Sequence, residues 1–465
     1  MNGQRLTSRP SWLPVLDGAV VVLLLLTACV FVFGGFREYL GTMRISVRSA
    51  DRPLVLAIAL LLFRHLLVPS PNITTSLRDS VSRIWSSEAR ATVLSAFVAT
   101  RVSVLLVGYL ALVTIGIEPG TARFNAAQPT MLEDLLARWD AAWYLSIATQ
   151  GYRWDGNPLR EQNVVFFPLY PSAMRALGLF LGNHWLVAGL LLALTGFLAA
   201  LTYLYRLAAD LLDATRARTV VWALAAYPFA VYYSAPYTES FYLLGSIGMF
   251  FHLRREEWWT AAAWGLFVGL SRPNGFFLAL PAGIIVLQHV IAQRRLVWAA
   301  GVACVAPVMG VVAYSAFLYL KFGDPLAWMK GQAAWRRVFV GIGPGIEALV
   351  LDRFNEIAAN GFFHYTATNP YDFLHTMAAL LVLASIWPCT RRFGPAYGAY
   401  LAINILPPLL MGGMMSIGRM SSVLFPVFLW LGAVVPSRHL AAWIAASAVL
   451  QGLVAVLFFT WRPVF

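Results

Sequence analysis

Apolar runs alternate with short polar breaks along the whole of this chain. They fall near 15–35, 53–69, 92–117, 186–209, 219–235, 237–252, 258–271, 276–293, 297–320, 372–388, 396–415, 421–436 and 440–460. A helix that crosses a bilayer needs roughly 20 mostly apolar residues. The pattern therefore predicts an all-α polytopic membrane protein of about thirteen spans, several short or split by proline. Short strands of alternating polarity, the mark of a transmembrane barrel, are not visible. The first run has no small-x-small cleavage site and reads as a retained span.

Two stretches break the pattern. Leu132, Leu135, Leu136, Trp139, Trp143 and Ile147 recur at helical spacing, which predicts one amphipathic helix lying along the membrane surface. Segment 166–182 carries F-F-P-L-Y-P and then Arg175, so it reads as re-entrant or interfacial.

Composition sharpens the class. Of 465 residues, 60% are hydrophobic and 12% charged, about half the charged share of a soluble domain. The formal charge of +13 comes almost wholly from arginine; the lysines are Lys321 and Lys330. No basic run is interleaved with stacking aromatics on a polar domain, so the charge marks topology and no nucleic-acid partner is expected. Arg206, Arg216 and Arg218, then Arg254 with Arg255, Arg294 with Arg295, Arg391 with Arg392, and Arg438 occupy alternating loops. Placing those loops in the cytoplasm puts 118–185, 234–240, 271–275, 321–371 and 416–420 outside. Cys29, Cys304 and Cys389 lie far apart in or beside apolar runs and suggest no disulfide framework. The seven histidines show no metal-ligand spacing, so no metal site is assigned.

Most of the unusual polar residues gather on that outer face. Asp140 stands in R-W-D-A-A-W-Y, beside Arg138, Trp139, Trp143 and Tyr144. Interfacial aromatics are ordinary; a carboxylate near hydrocarbon is costly and marks a pathway, a binding site or chemistry. Its bland role is an ion pair with Arg138, its functional one a general base. Glu239, after Tyr237 and Thr238, suits a helix N-terminus but also a site. Arg272 and Asn274 in S-R-P-N-G, and Arg419 further on, either snorkel to water or meet a phosphate.

Five motifs in order carry a family resemblance. They are R-W-D-A-A-W-Y-x-x-I-A-x-x-G-Y from Arg138, F-F-P-L-Y-P from Phe166, P-Y-T-E-S from Pro236, S-R-P-N-G from Ser271, and G-D-P-L-A-W from Gly323 with Gln332 and Trp335. With Arg419 before the penultimate span, the series resembles the PIG-V-type mannosyltransferases of the GT-C superfamily over roughly residues 90–430. Met420 stands where that pattern often has tyrosine, and Ser271 where it often has threonine.

The resemblance implies a GT-C-like helical bundle, with residues 1–90 a two-span extension and 91–465 the catalytic module. It also implies transfer of mannose from a polyprenyl-phosphate donor to an extracytoplasmic glycolipid, glycan or protein. Asp140 maps to the catalytic base. Arg138, Glu239, Arg272, Asn274 and Arg419 become donor-phosphate or substrate contacts, with Trp139, Trp143, Tyr144, Tyr237, Gln332 and Trp335 lining the site. No tightly bound cofactor is expected beyond the lipid-linked sugar, and the partner surface is the bilayer. The dearth of lysine beside abundant Ala, Leu, Val and Arg suggests, from composition alone, a bacterial plasma membrane. A transporter or lipid flippase would also carry intramembrane charges, and a non-catalytic assembly subunit could keep the scaffold.

Overall fold

The computed structural model describes residues 12–33, 36–40, 43–47, 51–68, 72, 75, 87–119, 131–295, 297–339 and 341–464. Helices dominate. In chain order they are α1 (Leu13–Phe33), α2 (Asp51–Leu67), α3 (Ser87–Thr114), α4 (Met131–Leu136), α5 (Ala141–Gln150), α6 (Leu169–Phe180), α7 (Trp185–Leu211) and α8 (Ala214–Ala225). There follow α9 (Glu239–Arg254), α10 (Trp258–Ser271), α11 (Ala279–Gln293), α12 (Trp298–Phe322), α13 (Ala327–Lys330), α14 (Ile342–Ile346), α15 (Asp352–Asn360) and α16 (Phe362–Thr368). The last are α17 (Pro370–Phe393), α18 (Pro395–Gly412), α19 (Ile417–Ser422), α20 (Phe425–Val434) and α21 (Leu440–Phe459).

Among the described residues most apolar runs read from the sequence fall on one of these helices, but the run 219–235 is split, with α8 ending at Ala225 and a 3-10 turn following over Pro228–Ser234. Six described helical segments are long and apolar enough to cross a membrane: Ser87–Thr114, Trp185–Leu211, Pro273–Gln293, Trp298–Phe322, Tyr371–Phe393 and Leu440–Phe459. Others, such as α8, α9 and α20, are shorter and mostly buried within the bundle, and α10 is half buried. At 12 residues, α6 is too short to span, in line with its interfacial reading. One element escaped the sequence reading: Phe36–Leu40 and Met43–Val47 form an antiparallel hairpin, pairing Phe36 with Val47. That hairpin joins α1 to α2, which pack on one another, with a buried Asp17–Arg64 ion pair at 2.9 Å.

Where leucines and valines face outward they do so in stripes. Val98, Val102, Leu106, Leu110 and Val113 of α3 are all exposed, a pattern that suits lipid and would be an aggregation face in water. Inside, the bundle packs on small residues. A Cβ on Gly310 of α12 would sit 2.7 Å from the backbone of Gly269 in α10, so the two helices touch main chain to main chain.

Candidate active site

The R-W-D segment is not one amphipathic helix. α4 ends at Leu136 and α5 begins at Ala141, with Trp139 between them in the left-handed region at φ 51°. Tertiary contacts override the helical spacing here. The Arg138 guanidinium is buried and donates from Nε to the Phe459 carbonyl at 2.7 Å, and also to the carbonyls of Asp134 and Ala137. Trp139 packs on Trp461 and donates its indole N–H to the Phe458 carbonyl at 3.2 Å. Both side chains therefore pull toward the end of α21. The break leaves Asp140 at the start of α5, its N–H donating to the Tyr237 hydroxyl at 2.9 Å, while that hydroxyl donates to the Arg138 carbonyl at 3.2 Å.

Asp140 does not pair with Arg138. Its Oδ2 accepts from Nη1 of Arg419, 279 residues away. The Arg419 Nε donates to Oε1 of Glu239 at 2.5 Å, and Nη1 of Arg272 donates to the same oxygen at 2.6 Å. Four charges thus alternate: Asp140, Arg419, Glu239, Arg272. Glu239 is 0% exposed, Arg272 9%, Arg419 10% and Asp140 23%, so the accessible end of the chain is the Asp140 carboxylate. Burial of unpaired charge is costly, and this alternation offsets it. The Tyr237 ring adds to this, with the Arg419 guanidinium 5.0 Å from its centre.

Local sequence explains each placement. Pro273 ends α10 and holds Arg272 extended, at φ −151° and ψ 156°, so its side chain leaves the helix toward Glu239. Gly275 permits the following turn, because a Cβ there would lie 2.3 Å from the Val268 carbonyl oxygen. Gly418 lets α19 press against Phe229, whose ring a Cβ would meet at 2.2 Å, and this sets Arg419 in the bundle.

These groups border a small cavity of about 70 Å³, walled by Asp140, Tyr144, Arg272, Gln332, Trp335 and Arg337 among others. Beside it runs a larger apolar groove of about 250 Å³. Arg272, Pro273, Gln332 and Arg337 belong to both, and Asn274, Phe276, Trp328, Pro407, Met411 and Met420 continue the groove. Pro407 and Met411 then lead to an apolar hollow of about 530 Å³ with Leu280, Phe339 and Leu406. A polar chamber therefore opens onto a hydrophobic track.

Most of the residues expected from sequence meet here. Asp140, Tyr144, Arg272, Gln332, Trp335 and Arg419 line the cavity, with Glu239 and Tyr237 directly behind them. Trp143 stacks on Phe166 and meets Trp335 edge-on. Asn274 lines the groove and donates to Asn404 Oδ1 at 2.9 Å, an oxygen that also accepts from Tyr242. Arg138 and Trp139 are not brought to the cavity; they anchor the loop that carries Asp140. Two participants went unread in the sequence. Asn404 sits mid-run in an apolar helix, and that isolated polarity was the available signal. Arg337 follows Gln332 and Trp335 of the fifth motif at short range. Among the described residues no group of His, Cys, Asp or Glu could hold a metal ion.

Two groups outside the spans show the field of the site. Burial, and then the charges of Arg419 and Arg272, lower the pKa of Arg337 to about 10 against the opposing pull of Asp140. At the solvent-exposed rim, burial and then the Asp140 charge raise that of Glu161.

Fold and site together define an integral membrane protein with a charged cavity set beside an apolar groove. Residues 110–321 match the model of the mannosyltransferase (PIG-V) family. That stretch holds the first four motifs, so the resemblance read from them stands as a family match, and the chemistry is that of a membrane glycosyltransferase. Arg337 and Arg419 lie beyond the matched residues. No curated protein matches. Among solved structures, the chain is similar to ArnT from Cupriavidus metallidurans bound to undecaprenyl phosphate, at 12% identity and TM-score 0.42, over 79% of this chain and 76% of that one. It is also similar to the Archaeoglobus fulgidus oligosaccharyltransferase in complex with Zn and sulfate, at 14% identity and TM-score 0.39, over 77% of this chain and 53% of that one. Likenesses this loose assign neither donor nor acceptor.

Proposed function

We propose that this protein transfers mannose from a polyprenyl-phosphate carrier to an acceptor on the extracytoplasmic face, with inversion. The observation that carries the reading is the junction of the charged cavity with the apolar groove at Arg272. An isoprenoid tail suits the track of Phe276, Met411 and Leu406, and its phosphate then falls at the guanidiniums. The outer side follows from the arginine-rich loops, which fit the cytoplasm.

Asp140 is the base in this reading. Its Oδ2 is held by Arg419, while Oδ1 carries no hydrogen bond among the described residues and is the atom to receive a proton. The acceptor oxygen attacks the anomeric carbon as its proton passes to Oδ1. The bond from that carbon to the phosphate oxygen breaks, and its electron pair leaves with the lipid phosphate. The sugar passes through an oxocarbenium-like state, as in glycoside hydrolysis. A phosphate leaving group needs no separate acid, so one carboxylate suffices. Arg272 and Arg419 stabilise charge that grows on the departing phosphate.

Membranes containing the protein test the donor. Radiolabelled polyprenyl-phosphate mannose should label native acceptors, and GDP-mannose should not once synthesis of the lipid donor is blocked. Labelling from the nucleotide sugar alone would overturn the proposed donor.

A further inference from the structure

Three guanidiniums and two carboxylates meet where the cavity joins the groove. Glu239 lies between Arg272 and Arg419, and Asp140 takes the other side of Arg419. Arg337 is left over. Its backbone N–H reaches the Gln332 carbonyl at 3.2 Å, but its side chain makes no ion pair or hydrogen bond among the described residues. It is half-buried, borders both the cavity and the groove, and faces two like charges. Glu161 does not answer it, being exposed to water and outside the cavity wall. The cluster thus carries one positive charge in excess.

The neighbouring arginine turns the other way. Arg336 adopts φ 57°, in the left-handed region, and lines another cavity of about 610 Å³ with Arg353, Asp372 and His375, which shares Met411 with the groove but neither Arg337 nor Arg272. Consecutive arginines therefore serve different chambers, which supplies an internal control.

We propose that Arg337 is the donor-selecting phosphate contact, pairing with the single negative charge of a lipid phosphodiester at the mouth of the groove. This rests on the proposed function and extends it. With the donor bound the cluster is neutral. During transfer the phosphate passes from one negative charge to two, while the acceptor proton neutralises Asp140. Total charge in the cavity is unchanged, so one unpaired guanidinium serves both ends of the reaction. A diphosphate linkage would bring a further negative charge toward Asp140 and Glu239 with no free cation to meet it. The site consequently favours phosphate-linked over diphosphate-linked sugars.

Purified protein in proteoliposomes tests this with R337A, R337K and R336A. Kinetics use polyprenyl-phosphate mannose and a native acceptor extract; binding uses tritiated polyprenyl monophosphate, with polyprenyl diphosphate as competitor. Expected for R337A is a rise of about 10- to 100-fold in donor KM and a matching loss of monophosphate binding. R337K should recover part of both, because a point charge replaces a fork, and R336A should match the wild type. Wild-type donor KM in R337A, an equal loss in R336A, or tighter binding of diphosphate than monophosphate would each overturn the proposal. If R337A does not fold, R337Q decides: a donor KM raised about 10-fold or more with a matching loss of monophosphate binding supports the contact, and wild-type values of both overturn it. If the wild type moves no sugar, the proposed function fails, and the binding arm still judges Arg337 separately.

Discussion

Replacing Glu239 with glutamine removes the charge between two buried guanidiniums while keeping the shape of the side chain. Oε1 accepts from Arg272 at 2.6 Å and from Arg419 at 2.5 Å, and Oε2 is buried without a partner. An amide keeps one acceptor oxygen but must turn its NH2 into that unpartnered position. Each ion pair is worth about 4 kcal/mol of gross attraction at an effective dielectric near 20. Desolvation of the carboxylate offsets much of this, so the net cost should be about 3–5 kcal/mol, the range found when one partner of a buried pair is removed. The assay is thermal unfolding of E239Q, R272Q and the double variant in one detergent, alongside sugar transfer. Each single variant should melt well below the wild type. The double variant restores the balance of charge and should lose markedly less than the two losses combined. Additive losses, or an E239Q protein as stable and active as the wild type, would refute the reasoning.

Other perturbations separate anchoring from chemistry. R138A orphans the Phe459 carbonyl, costing about 1–3 kcal/mol; melting should fall, with donor KM unchanged for the protein that remains folded. G310A pushes a Cβ into the backbone of Gly269 and should cost about 1–3 kcal/mol by overpacking, lowering both melting temperature and kcat as Arg272 shifts; wild-type behaviour would mean that the helices do not touch there. Asp155 is held below the usual aspartate range, chiefly by the N–H of Asn157 and then by Gln162 and Arg160. Its contribution to the order of loop 153–163 is present above the unfolded pKa and lost as pH falls through the lower folded value. Limited proteolysis of that loop should rise only below about pH 4, and D155N should be cleaved readily at every pH.

The apolar helices were legible because hydrophobic length is a local property, but their number as spans was not: about thirteen were expected, and six described segments are long and apolar enough to cross a membrane. The motifs also revealed which residues would gather, since Asp140, Arg272, Gln332 and Arg419 do line one cavity. Pairing was not legible. Arg138 stands two positions before Asp140 in sequence, yet Arg419 pairs with it across 279 positions. Leucine spacing predicted one helix over 132–147, but the contacts of Arg138 and Trp139 with α21 break it. The hairpin at 36–47 had a period-two signal in M-R-I-S-V alone; F-R-E-Y-L lacks one, and the arginines of both strands read as a loop. Arg337 escaped because a pair of arginines in an external segment looks solvated until the fold turns one inward.

The most direct measurement is the rate of transfer from radiolabelled polyprenyl-phosphate mannose by wild type and D140N, each folded and reconstituted in equal amount. Loss of a general base costs about 10²–10⁴-fold, so D140N should fall by at least the lower figure although it still binds polyprenyl monophosphate no more weakly than the wild type. Equal rates would remove Asp140 from the chemistry and contradict its assignment as the base.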